Sequence, residues 1–128
     1  MKAEVSAAIE DLRKQFPTAT LKTRDDGQGG AYLTVEPVAL SDRFVPNKTW
    51  VGFHVPAQYP YADIYPMFIG GDVRRADGQG FAPPITAGHA FEGRPALQIS
   101  RRNSMAQNGK KKACAKVLKV LDFLERSS

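Results

Sequence analysis

Ser100 is followed at once by Arg101 and Arg102, and His89 lies eleven residues before it. These residue types can do acyl chemistry. A serine hydroxyl is a weak nucleophile and needs a base, together with donors for the oxyanion that develops on the acyl group. A guanidinium supplies such donors, or binds a carboxylate through its planar fork. A histidine titrating near neutrality can take the proton. The same residues also have an ordinary reading, in which Ser100 caps a turn, the arginines pair with surface acids and His89 sits in a surface loop. Ser104, Thr86 and Ser41 are weaker candidates because no basic group adjoins them. Asp77 is a second candidate base, although Asp-Gly is first a turn signal. Cys114, the one cysteine, falls on the apolar stripe of a helix, where a free thiol behaves as a small hydrophobe. A single cysteine excludes an internal disulfide and a cysteine-cluster zinc site. The two histidines lack a ligand spacing, so neither a metal nor a cofactor is expected.

Stepping outward, these residues need a frame. Val5, Ile9, Leu12 and Phe16 trace one stripe and predict a helix over 2–16, stopped by Pro17. Residues 19–24 and 31–36 alternate polar with small or apolar side chains around an Asp-Asp-Gly-Gln-Gly-Gly turn, which predicts an antiparallel hairpin. Residues 49–55 give a third strand with Val51, Phe53 and Val55 on one side. His54 then falls on the opposite side, which favours a structural role. The stretch from Pro56 to Pro66 holds three prolines and cannot be a regular element, and an aromatic before proline favours a cis bond. Tyr59, Tyr61, Tyr65 and Trp50 are expected to pack beneath this crossing rather than to form a binding surface. Met67 to Ile69 makes a short fourth strand. Residues 70–109, with seven of the eleven glycines and three prolines, are expected to be irregular, and loops this long tend to be functional. A helix over 110–126 closes the chain, with Cys114, Val117, Leu118, Leu121 and Leu124 on its stripe. The order implies a single α+β domain over 1–128, with helices against one face of a four-stranded meander.

The net charge of +5 is unevenly placed: residues 1–70 carry 7 basic and 8 acidic side chains, residues 71–128 carry 11 and 5. A basic half suits nucleic acid, an anionic membrane or an acidic protein. Nucleic-acid binding is not favoured, because exposed aromatics do not interleave with Lys110, Lys111 and Lys112 and no nucleic-acid motif is present. No apolar run approaches the ~18–20 residues that cross a bilayer, and no signal peptide is visible. A reducing cytosol is the expected compartment. Gly27-Gln28-Gly29-Gly30 is not a phosphate loop, since no Gly-Lys-Ser/Thr follows.

The element order and the stretch Tyr59-Pro60…Tyr65-Pro66-Met67-Phe68 resemble the ubiquitin-conjugating-enzyme (UBC-like) fold. That family also runs helix, four-stranded meander, proline-rich crossing, long active-site segment and C-terminal helix. The His-Pro-Asn tripeptide and the cysteine of eukaryotic members are absent from residues 70–109. Arg75-Ala76-Asp77-Gly78 and Leu97-Gln98-Ile99-Ser100-Arg101-Arg102 are similar to elements of a divergent prokaryotic branch. The resemblance implies a bacterial conjugation pathway, linked in such systems to phage defence, with a ubiquitin-like modifier, an activating enzyme and a peptidase as partners. It implies that the modifier is carried as an oxyester on Ser100, with Arg101, Arg102 and His89 assisting. It also implies docking of the first helix on the activating enzyme through Lys2, Arg13 and Lys14. The alternative is a non-catalytic UBC-like module that positions the modifier or a partner, as superfamily members without the cysteine do.

Overall fold

The computed structural model describes residues 1–100 and 113–126. Helix α1 spans Ala3–Gln15 and buries Val5, Ala8, Ile9 and Leu12, which lie on one stripe as their spacing requires. Strands β1 (Thr20–Asp25) and β2 (Ala31–Ala39) form the expected hairpin. Asp26 builds its turn by accepting the backbone N–H groups of Gln28 and Gly30 at 2.8 and 2.9 Å. A two-residue strand β3 (Phe44–Val45) precedes β4 (Lys48–Val55), and β5 spans Met67–Gly70. Tyr59-Pro60 and Tyr65-Pro66 are both cis, as the aromatic–proline pairs suggested.

The region expected to be irregular is not. It contains β6 (Arg74–Arg75), paired with β3, and a long hairpin of β7 (Ile85–Phe91) and β8 (Arg94–Ile99). The sheet therefore has six strands rather than four, all antiparallel, in the order β1-β2-β4-β5-β8-β7. Glu92 and Gly93 close the new hairpin with φ of 49° and 79°, the two-residue turn with positive φ at both central positions whose twist matches the strands. A bulge between Thr86 and His89 interrupts the pairing of β7.

Strand alternation divides the sheet into two faces. Leu33, Val35, Val51, Phe53, Val55, Met67, Ile69, Leu97 and Ile99 point to the face that α1 and helix α2 (Ala113–Arg126) cover, forming one core. Helix α2 is turned relative to its expected stripe. It buries Ala113, Lys116, Val117, Val120 and Leu124, whereas Leu118 is exposed and Cys114 and Leu121 are half-buried. The reason is polar: Lys116 Nζ meets the Asp63 carboxylate at 3.1 Å beneath the proline-rich crossing, and both side chains are largely enclosed. Tyr59 Oη accepts the Ala113 N–H at 2.7 Å and ties the same crossing to the first residue of the helix.

On the opposite face a second, smaller cluster joins Trp50, Phe91 and Ala96, with Tyr32 and Phe68 against it. Its plug is Phe91, brought over the sheet by the tip of the β7–β8 hairpin. A Cβ on Gly52 would lie 2.5 Å from that ring, so only glycine lets it seat on β4. Arg24 on β1 holds the tip through a two-toothed pair with Glu92 (2.8 and 2.9 Å), and Arg94 reaches Glu36 on β2 (2.8 and 3.1 Å) while lying over the Trp50 ring.

Candidate functional site

The β7–β8 hairpin carries both hydroxyl candidates and His89. Ser100 follows β8 directly. Its N–H donates to Pro84 O at 3.0 Å, and its Oγ accepts from Gln98 Nε2 at 2.8 Å. The hydroxyl is half-buried. An amide donor orients that oxygen but takes no proton from it, so Gln98 is not a base for Ser100.

His89 serves a different hydroxyl. It pairs across the hairpin with Ala96, four residues before Ser100, which sets it about 13 Å along the strand from that serine. Its Nε2 instead lies 2.9 Å from Thr86 Oγ1. The bulge is what brings the two together, since it sets two residues of β7, Ala87 and Gly88, against the single Leu97 of β8, with Gly88 at φ +85°. Thr86, set aside in the sequence for want of a basic neighbour, is thus the described hydroxyl with an imidazole in hydrogen-bond reach. Thr86 also stands opposite Gln98, so the two hydroxyls occupy one end of the hairpin on the face away from the helices.

Thr86 and Ala87 help to wall a pocket of about 310 Å³ at the outer end of the sheet. Its apolar lining comes from Val73, Phe81, Ile85 and Leu97, and its basic groups from Arg74 and Arg75. Arg75 Nη2 pairs with Asp77, while its enclosed Nε has no hydrogen-bond partner among the described residues. The Gln79 N–H and then the Arg75 guanidinium hold the Asp77 carboxyl below the usual range. The carboxylate is thus engaged within its own turn, by Arg75 and by the Gln79 N–H.

The remaining candidates have other surroundings. Arg101, Arg102, Ser104 and the lysines 110–112 lie outside the described residues. Ser41 Oγ and N–H both donate to Glu125, fastening the β2–β3 connection to α2. Burial, followed by the nearby Asp11 carboxylate, pushes the Cys114 thiol up, away from the thiolate form. On α1, Arg13 pairs with Glu10, and Lys14 borders the cleft that leads to Cys114. Lys2 and Arg13 share a side of the helix but stand about 16 Å apart. The described residues contain no group of three or more His, Cys, Asp or Glu side chains placed to hold a metal ion, and no helix among them is long and apolar enough to cross a membrane.

One pair escaped the sequence. His54 Nε2 meets Asp26 Oδ2 at 2.7 Å, and the ring packs against Tyr32. The His54 bond, then the Gln28 N–H, hold the Asp26 carboxyl low. A carboxylate-oriented imidazole is suited to proton transfer, but among the described residues no serine, threonine or cysteine hydrogen-bonds to the ring. Asp26 sits in a turn and His54 at a strand end 28 residues on, and nothing local in either segment signals the pairing.

Comparison with known proteins finds no matching family model, no matching curated protein and no matching solved structure.

Proposed function

We propose that this chain is a UBC-like protein that receives a ubiquitin-like modifier from an activating enzyme, holds it as an oxyester on the β7–β8 hairpin and passes it to an amine. The observation that carries this reading is the 2.9 Å contact between Thr86 Oγ1 and His89 Nε2 beside a pocket with two arginines. The helix–sheet–crossing–helix order supports it, and with no cysteine between residues 70 and 109 the acceptor in this reading has to be a hydroxyl. An acceptor in such a chain is a hydroxyl with its own base.

In the forward step the Thr86 oxygen attacks the acyl carbon of the modifier's thioester. His89 Nε2 takes the hydroxyl proton, and the activating enzyme's thiolate leaves. In the second step an amine attacks the ester carbon, His89 returns its proton to the departing Thr86 oxygen, and the attacking nitrogen gives up a proton to solvent as the amide forms. Ser100 is the competing acceptor. Its oxygen is positioned by Gln98, and its base would have to come from outside the described residues.

The test combines the protein with a ubiquitin-like protein and adenylating enzyme from the same genome and ATP, and looks for a hydroxide-labile, thiol-stable adduct. Loss of the adduct in Thr86→Val and His89→Gln assigns the acceptor to Thr86, and loss in Ser100→Ala assigns it to Ser100. A stable complex with no adduct in the unsubstituted protein overturns acyl transfer and leaves the non-catalytic module that positions the modifier.

A further inference from the structure

Strand β7 is an outer strand of the sheet, and its seven residues, Ile-Thr-Ala-Gly-His-Ala-Phe, include no lysine, arginine, acid or proline. Proteins commonly blunt exposed edges with charge, proline or a bulge, because a row of unpaired N–H and C=O groups invites a further strand. Strand β7 carries only the bulge between Thr86 and His89, with paired stretches on both sides of it. The alternation of ladder bonds identifies the groups on offer. Ser100 N–H donates to Pro84 O, so the polar groups of Thr86 turn inward to β8 and the C=O of Ile85 turns outward, and beyond the bulge the N–H and C=O of Ala90, opposite Pro95, turn outward too.

The pocket with Arg74 and Arg75 is continuous with this edge, since Ile85, Thr86 and Ala87 line it. Arg74 has no ion pair among the described residues, whereas Arg75 is paired with Asp77. A carboxylate entering the pocket meets the unpaired Arg74 guanidinium, whose planar fork suits it. The apolar floor accepts one aliphatic side chain beside it.

We propose that the outer edge of β7 and the adjoining arginine pocket form a docking site for an extended peptide, which adds as a further strand and sets a free carboxyl terminus against Arg74 and Arg75. Main-chain bonds give such a ligand its affinity, and the pocket gives it direction. The site does not depend on acyl transfer. Peptide binding without any covalent adduct leaves it standing.

The experiment uses fluorescence anisotropy with a labelled octapeptide alternating serine and valine and ending in a free valine carboxylate. The expected result is saturable binding, weakened about tenfold for the C-terminal amide and for Arg74→Gln, the loss of one charge-assisted contact. The same peptide methylated on alternate backbone nitrogens should not bind, a control that leaves the protein untouched. Equal binding of the methylated peptide overturns strand addition, equal binding of the amide overturns the carboxylate pocket, and no binding by the parent peptide overturns both.

Discussion

The two faces of the sheet are covered in different ways. On one side α1 and α2 bury a continuous apolar layer in which Leu33, Val35, Phe53 and Val55 lose all contact with solvent. On the other, a single hairpin tip seats Phe91 over Gly52 beside Trp50, and two arginine–glutamate pairs hold it. Hydrophobic burial scales with area and is indifferent to pH, whereas ion pairs at a solvent-exposed rim contribute little and respond to acid. The helix side therefore sets the stability of the domain, and the hairpin side sets which parts of the surface stay closed.

Three substitutions or conditions separate these roles. Phe53→Ala empties a fully buried site on the helix side, and urea unfolding should show a loss of about 3–5 kcal/mol. A loss no larger than that of a surface change would break the comparison. Gly52→Ala places a methyl where the Phe91 ring and Trp50 already are. The cost should be smaller, about 1–3 kcal/mol, and should appear as a shift in the fluorescence of Trp50, the one tryptophan, while the far-UV helical signal is kept.

The smallest effect is acid loosening of the hairpin. Arg94 holds the Glu36 carboxyl below its ordinary 4.5, and Arg24 does the same for Glu92. Folded values lower than unfolded ones mean that the contribution is present above about pH 4.5 and is lost as pH falls through the folded values. Trp50 emission should therefore change on acidification before far-UV ellipticity does, and Glu36→Gln should reduce that early step. Coincident changes in the two signals would show that the hairpin and the core respond to acid as one unit.

Much of the frame was legible because its signals are local. The stripe Val5, Ile9, Leu12 gave α1, and the alternation in residues 31–36 and 49–55 gave β2 and β4 with the correct inward faces. The β7–β8 hairpin was missed because its residues are weak strand formers. Ala87, Gly88 and Ala90 carry little side chain, and β8 opens on Arg94-Pro95. What holds that hairpin is pairing with β5 and the clamps to β1 and β2, all distant in sequence. The one local clue was Gly93 following Glu92 at a two-residue turn. The site was legible in part for the same reason. Ser100 and His89 fall on one hairpin but about 13 Å apart along it, and the contact of the imidazole with Thr86 depends on a bulge that no residue pattern in that stretch announces. Likewise the turn of α2 brings Lys116 onto Asp63, 53 residues away, and no local pattern in either segment marks that pair.

The bond from Ala113 to Tyr59 and the pair of Lys116 with Asp63 fasten the first turns of α2 to the proline-rich crossing. Two segments far apart in sequence thus share one anchorage, so a change that displaces the crossing also displaces the helix that closes the core.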